Sequence, residues 1–349
     1  MSGPRIAVVG LGFMGTRWGR VIGEHHGADL AVVADLRADV GRRVADDLGA
    51  EFVADPLEAV SRPDIDGVVV CTPEDGHVDV AITAIGAGKV VAVEKPLAHT
   101  VADAERIRDA AQVNGGMVLA GHVLRFEPRY AAIRRAIEAD EIGAVQAVRS
   151  ERIGLVADQD ILQGRTSVAL YYGVHEFDLA RWYAGDVAEV WAARSHGVVA
   201  AHGHDVDDLY SVGLSFTSGA HGTAMIGWSL PPRTPGYGIA GFTVIGERGL
   251  LRVAQGTTGF QMVLDDGPVD VDVHYSPDVH GQLHGAMGLE VDHFIRCVRG
   301  EQEPVCSAAD GVEAVRIALA MERAAATHGV VAVHAQRQAE RAAPGRTSA

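Results

Sequence analysis

Residues 5–15 read Arg5-Ile-Ala-Val-Val9-Gly10-Leu11-Gly12-Phe13-Met14-Gly15, and an amphipathic stretch follows directly, over about 13–26. An apolar run of strand length therefore meets a glycine-rich turn that opens a helix. In such a turn the first glycine permits the tight bend. The second lets backbone approach a pyrophosphate, and the third allows close helix–strand packing. Free N–H groups and the helix dipole favour an anion at that point. With 42 glycines in the chain the pattern alone is weak, and its surroundings make it specific. The next apolar run, Leu30–Ala34, ends at Asp35, twenty residues after Gly15, where a carboxylate would grip ribose hydroxyls. Gly10, Gly12, Phe13, Met14, Gly15 and Asp35 are thus expected to hold a dinucleotide. A carboxylate repels a 2′-phosphate, so NAD is favoured over NADP, although Arg37 close by works against that preference.

Outward from this turn the chain alternates short β-branched runs with longer amphipathic ones. Strands are expected at Arg5–Val9, Leu30–Ala34, Gly67–Cys71, Val90–Val93 and Met117–Ala120, and helices at about 13–26, 37–48, 77–87 and 100–113. Strand-then-helix repetition implies a parallel sheet with right-handed crossovers, covered on both faces. From about residue 144 the pattern changes. Segments 144–154, 187–200, 209–217, 221–229, 240–254 and 260–273 are β-rich and follow one another without helices, apart from one helical stretch at 167–183. One large antiparallel sheet is expected there, followed by helices at 283–299 and 309–327. The fold class is therefore α/β: a Rossmann domain over 1–121 and an α/β domain with a large open, mostly antiparallel sheet over 122–334. Residues 335–349 carry little to bury and read as a disordered tail.

Composition narrows the function. Apolar residues make up 48% and charged residues 22%, as in an ordinary globular protein. Asp and Glu outnumber Lys and Arg by 46 to 30, a net charge of −16 that disfavours nucleic acid and anionic membrane as partners. No apolar run approaches the ~20 residues of a membrane span. The N-terminal stretch has no signal-peptide pattern. Three scattered cysteines (Cys71, Cys297 and Cys306) suit a reducing cytoplasm rather than a disulfide framework. His202-Gly-His204-Asp205 has a metal-like look without a fourth ligand, and no metal site is expected.

Val93-Glu94-Lys95-Pro96-Leu97, together with the N-terminal fingerprint, resembles the Gfo/Idh/MocA oxidoreductases. The resemblance continues through Cys71-Thr72-Pro73 and His77, through Arg125-Phe126-Glu127-Pro128, and through Gly173-Val-His175-Glu176-Phe-Asp178-Leu-Ala-Arg181-Trp182. It ends in a Phe294-to-Gly300 helix followed by Pro304, and so covers roughly residues 4–332. It implies oxidation or reduction of secondary alcohols of sugars and cyclitols, with the nicotinamide held between the domains. It also implies dimers or tetramers paired through the C-terminal sheet. The family's catalytic Lys falls on Lys95 and its catalytic His on His175. Where many members carry an Asp one helical turn earlier, this chain has Tyr171.

Physically, Lys95 lies at the C-terminal end of a strand, the ligand edge of an open α/β sheet, and could stabilise a developing alkoxide. The alternative is a surface lysine paired with Glu94; Glu94 itself is read as supporting the cofactor. His175 has an ordinary pKa near ~6.5 and can accept a hydroxyl proton near neutrality. Tyr171 at i−4 could orient it, or act as the base itself. Gly173 costs up to ~1 kcal/mol in a helix, which close approach of the backbone to a cofactor would explain. Thr72, Pro73 and His77 are expected at the nucleotide, His77 alternatively in a packing role. Arg125 and Asp158 are expected at the substrate, Arg125 alternatively in a structural ion pair. Asp160, Glu176, His280 and His284 are further candidates to border the site. The leading reading is an NAD-dependent dehydrogenase of a ring hydroxyl of a sugar, glycoside or cyclitol, with an amino sugar or aminoglycoside intermediate as a refinement. The alternatives are an NAD-dependent glycosidase working by transient oxidation and elimination, and a nucleotide-binding regulator without chemistry.

Overall fold

The β-branched runs of the first third are too apolar to face water and stack into a parallel sheet. The computed structural model describes residues 3–334 except 233, 235–237, 256–261, 265–266 and 270–271; the expected tail at 335–349 lies outside the described residues, as does part of the expected strand at 260–273. In chain order the first elements are β1 (Arg5–Val9), α1 (Phe13–Glu24), β2 (Asp29–Ala34), α2 (Ala38–Leu48), β3 (Glu51–Val53) and α3 (Pro56–Ser61). They continue with β4 (Gly67–Val70), α4 (His77–Gly86), β5 (Val90–Glu94), α5 (Val101–Asn114) and β6 (Val118–Gly121). The sheet order is β3-β2-β1-β4-β5-β6, all pairs parallel. That is the doubly wound Rossmann order, with the switch point between β1 and β4, beside the C-terminal end of β1 where Gly10 begins the turn.

Next come α6 (Pro128–Glu138), β7 (Val145–Leu155), α7 (Asp158–Leu162), a π-helical turn at Ala169–Gly173, α8 (Val174–Ala184), β8 (Val187–Ser195), β9 (Leu209–Phe216), β10 (His221–Leu230), β11 (Ile239–Gly246) and β12 (Leu250–Gln255). Two small hairpins follow, β13 (Met262–Leu264) with β14 (Gly267–Val269) and β15 (Asp278–Val279) with β16 (Gln282–Leu283); then α9 (Gly285–Val298), α10 (Ala308–Thr327) and β17 (Val330–Ala332). The second sheet has the order β12-β11-β7-β10-β9-β8-β17. It is mostly antiparallel, as expected, with β10 and β7 as its one parallel pair among the described strands. The run 240–254 is two strands, β11 and β12, joined by a turn at 247–249. The acidic stretch at 158–160 opens a short helix.

The chain divides into two compact units, Met1–Ala132 with Thr257–Val315, and Ile133–Gly256 with Arg316–Ala349. The first unit thus takes in a late segment that the sequence assigned to the second domain. The reason is visible in its core. Trp18 and Ile22 of α1 and Met287, Val291 and Phe294 of α9 pack with Ile6, Val8, Val69 and Leu119 of the sheet. Trp18 and Phe294 meet edge to face, with ring centroids 5.9 Å apart. At roughly 25 cal/mol per Å² of apolar surface, burying such side chains contributes about 1.5–3 kcal/mol each. In the second unit Phe177 and Tyr183 of α8 are buried with Ile226, Trp228 and Phe242 of the sheet. Among the described residues no helix is long and apolar enough to cross a membrane.

Candidate nucleotide and catalytic sites

Each glycine of the fingerprint has its own reason. Gly10 has φ +86°, and a Cβ there would lie 2.5 Å from the backbone of Cys71 and Thr72. At Gly15 a Cβ would fall on the carbonyl of Gly10. At Gly12 nothing lies within 4 Å, so only the missing side chain keeps that approach open. Gly12 caps α1 without a side-chain hydrogen bond, and the first turn carries no acidic residue. Its N–H groups are the bare anion-binding end that a pyrophosphate needs. Phe13 projects into solvent with Arg17 over its ring at 3.5 Å, while the Met14 sulfur accepts a hydrogen bond from Tyr275 at 3.3 Å.

Asp35 ends β2 as expected, and its Oδ2 accepts the Leu11 N–H at 2.8 Å, tying the glycine turn to the strand. Burial alone would raise its pKa. The hydrogen bonds from the Arg37 side chain, the Arg37 N–H and the Leu11 N–H outweigh burial and hold the carboxyl below its ordinary value. These residues fit NAD: a bare helix end for the pyrophosphate and a carboxylate at the end of β2 for the ribose.

Glu94 closes β5 with its carboxylate turned inward, accepting from Trp18 Nε1 at 2.9 Å and from the Lys95 N–H at 3.1 Å. Burial raises its pKa against both. Glu94 thereby fixes the backbone that presents Lys95, which is half-buried and joined to Pro96 by a cis peptide bond. Sequence reasoning missed Glu290 of α9, fully buried in the same unit, whose carboxyl burial and the Glu94 charge push well above the ordinary range. An acid within an amphipathic helix carries no signal of that environment.

His77 needs correction as a nucleotide contact. It is 1% exposed, and its ring sits between two carbonyls, with Nδ1 3.0 Å from Pro96 O and Nε2 2.9 Å from Thr72 O. It clamps the loop after β4 to the turn after β5. Thr72 and Pro73 lie on that first loop, with Pro73 exposed. Arg125 is likewise engaged: it donates to Val305 O at 2.6 Å and lies 3.6 Å from Asp310, the structural alternative that the sequence left open. His280 sits in the turn between β15 and β16, and His284 caps α9.

In the second unit α8 begins at Val174, directly after a π-helical turn that contains Tyr171. Tyr171 and His175 are both half-buried, and the widened turn replaces the plain i, i+4 spacing read from sequence. At Gly173 a Cβ would meet the Phe177 ring at 3.0 Å and Ile226 at 3.6 Å. The Tyr171 ring packs edge-on against Tyr172 at 4.8 Å and lies 6.2 Å from Trp228. Two of the residues expected at or beside the substrate are engaged within the fold. Asp158 accepts from Tyr172 at 2.7 Å and from the Leu155 N–H at 3.0 Å, a bridge between β7 and the π-helical turn. Glu176 is 1% exposed and pairs with Arg152 at 2.6 Å, so it holds α8 to β7 and offers no surface to a substrate. Asp160 remains exposed and lies 3.4 Å from His204. His202 turns Nδ1 to Val198 O at 2.9 Å.

Comparison with known proteins decides the family. Residues 4–122 match the Gfo/Idh/MocA profile described as oxidoreductase family, NAD-binding Rossmann fold, and residues 134–333 match that family's C-terminal alpha/beta domain. The chain belongs to the Gfo/Idh/MocA oxidoreductase family. As an oxidoreductase of this family it uses NAD. It is 29% identical to the scyllo-inositol 2-dehydrogenase (NAD(+)) of Bacillus subtilis over 90% of this chain and 92% of that one. It is also 29% identical to the myo-inositol 2-dehydrogenase of Thermotoga maritima over 91% and 95%. The crystal structure of GenD2 from gentamicin A biosynthesis in complex with NAD superposes with a TM-score of 0.82, at 25% identity, covering 95% of this chain and 97% of that one.

Proposed function

We propose that this protein is an NAD-dependent dehydrogenase that oxidises a ring secondary hydroxyl of a cyclitol to a ketone. The observation that carries the reading is the Glu94-Lys95-Pro96 turn, on the ligand edge of a sheet whose fingerprint and Asp35 fit NAD. Lys95 supplies positive charge to the substrate oxygen as alkoxide character develops. His175 accepts the hydroxyl proton, and Tyr171 assists it in the absence of a carboxylate one turn earlier. NAD, when bound, supplies the hydride acceptor. Similarity to two inositol dehydrogenases along nine-tenths of the chain favours the cyclitol. The test is NADH formation by purified protein with NAD and scyllo- or myo-inositol, with mass analysis of the ketone.

An aminated sugar or aminoglycoside intermediate is the second reading, favoured by the likeness to GenD2 and by the net charge of −16. With Asp158 and Glu176 engaged inside the fold, that reading rests on general attraction and on Asp160. It requires KM for an aminated substrate to rise markedly with ionic strength, because attraction is screened beyond about 8 Å at physiological salt. A flat KM removes it.

The same reading places the protein in the cytoplasm, where three free thiols are at home, and as a homodimer or homotetramer. Trp191, Met225, Ile245 and Val330 are exposed on one face of the second sheet, the face opposite buried Val190, Ile226 and Val244. A second copy of that face is the proposed partner. Light scattering that gives a monomer at micromolar concentration would overturn it.

A further inference from the structure

The carboxylate assigned to the ribose is already fully engaged. Asp35 Oδ2 accepts from the Leu11 N–H at 2.8 Å and from Arg37 Nη2 at 3.2 Å; Oδ1 accepts from the Arg37 N–H at 2.9 Å and from Arg37 Nε at 3.1 Å. A carboxylate has about four acceptor positions, and here all four are taken. Two of the donors are backbone N–H groups fixed by the glycine turn and by the approach to α2. The other two come from a single guanidinium at the surface: the Arg37 side chain is 61% exposed and also feels the charge of Asp39, whereas that of Asp35 is 8% exposed, so the ion pair has water on one side to open into. Leu36 between them is 83% exposed.

A ribose diol needs two acceptor positions on this carboxylate. They become available only when the guanidinium moves off. The displaced group stays tethered two residues from Asp35. There it presents a planar fork of donors that suits a phosphate. If the 2′-oxygen carries a phosphate, the same guanidinium offsets the repulsion that Asp35 exerts. Arg37 therefore acts against NAD and for NADP through one movement.

We propose that Arg37 sets the cofactor selectivity of this protein: it competes with the ribose diol for Asp35 and supplies the cation for a 2′-phosphate, so that the site accepts NADP alongside NAD. The proposal concerns nucleotide binding alone and is independent of the substrate assigned above.

The experiment is calorimetric titration of the substrate-free protein with NAD and with NADP, for wild type, Arg37→Met and Arg37→Lys. Methionine keeps the stem and removes the charge; lysine keeps the charge and loses the fork. An exposed ion pair is a weak competitor, so Arg37→Met is expected to tighten NAD by about 2–5-fold. Loss of charge-assisted hydrogen bonds to phosphate is expected to weaken NADP at least about 10-fold, with Arg37→Lys in between. Wild type is expected to bind both nucleotides with dissociation constants within about 100-fold of each other. Three results would overturn the proposal: NADP binding unchanged by Arg37→Met, both nucleotides weakened by the same factor, or no binding of NADP to wild type at millimolar concentration. The second would mark Arg37 as a structural brace of the loop. A protein that oxidised no cyclitol would leave these titrations unaffected.

Discussion

Replacing Glu290 by methionine is expected to stabilise this protein at and above neutral pH. Glu290 has no exposed surface, and neither carboxylate oxygen has a hydrogen-bond partner among the described residues. Burial pushes its carboxyl well above the ordinary range, and the Glu94 charge adds to that. In the unfolded chain Glu290 ionises near pH ~4.3. The folded chain keeps the proton to a higher pH, so above ~4.3 the unfolded state is the one that gains from ionisation, and stability falls as pH rises toward the folded-state value. Methionine is close in volume and has no charge to desolvate. An unpaired buried polar group costs about 1–3 kcal/mol. Each kcal/mol shifts Tm by about 2–4 °C in a protein of 150–250 residues, and by no more than that here. Glu290→Met should therefore raise Tm by several degrees at pH 8, with the gap over wild type narrowing toward pH 5. Scanning calorimetry across that range measures it. Glu290→Gln removes the ionisation but keeps an unpaired amide, so it should lose the pH slope, with little gain in Tm at pH 5 and a smaller gain than Glu290→Met at pH 8. A Glu290→Met protein less stable than wild type at pH 8, with the same slope, would refute the reasoning.

The other predictions concern the two sites. Lys95→Ala and His175→Ala should each lower kcat/KM on the cyclitol at least about 100-fold, with the NAD dissociation constant moved less than about 2-fold in titrations. Tyr171→Phe should cost less than His175→Ala; activity lost in Tyr171→Phe and retained in His175→Ala would make Tyr171 the base. His77→Ala leaves a carbonyl of Thr72 or Pro96 without its donor and should destabilise the protein by about 1–3 kcal/mol in urea unfolding. Because His77 holds the turn that carries Lys95, kcat should fall more than KM rises. A kcat equal to wild type would show that the clamp is not needed for the turn.

Much of the first unit was legible because its signals are local. Strands β1, β2, β4, β5 and β6 are near-continuous apolar runs, and Gly10, Gly12, Gly15 and Asp35 stand at fixed positions relative to them. The three-residue β3 has no such run. The parallel pairing of β10 with β7 joins strands far apart in sequence, and neither strand alone carries a mark of it. The π-helical turn before His175 ends at Gly173, which lies close to Phe177 and Ile226, and a helical wheel drawn through Tyr171 and His175 misses the turn. Asp158, Glu176 and Arg125 illustrate a further limit. A sequence shows that a charged residue lies near a motif, but not that Tyr172, Arg152 or Asp310 has already taken it. Glu290 is the reverse case, an ordinary acidic residue in a helix whose burial appears only once α9 packs on the first sheet.

Cyclitol oxidation is tested by absorbance at 340 nm on mixing purified protein, NAD and scyllo- or myo-inositol, with the ketone quantified by mass spectrometry. The expected result is NADH and ketone formed one for one, abolished in Lys95→Ala. No NADH with either inositol from a protein that binds NAD, or cleavage of a glycoside with no net NADH, would contradict it.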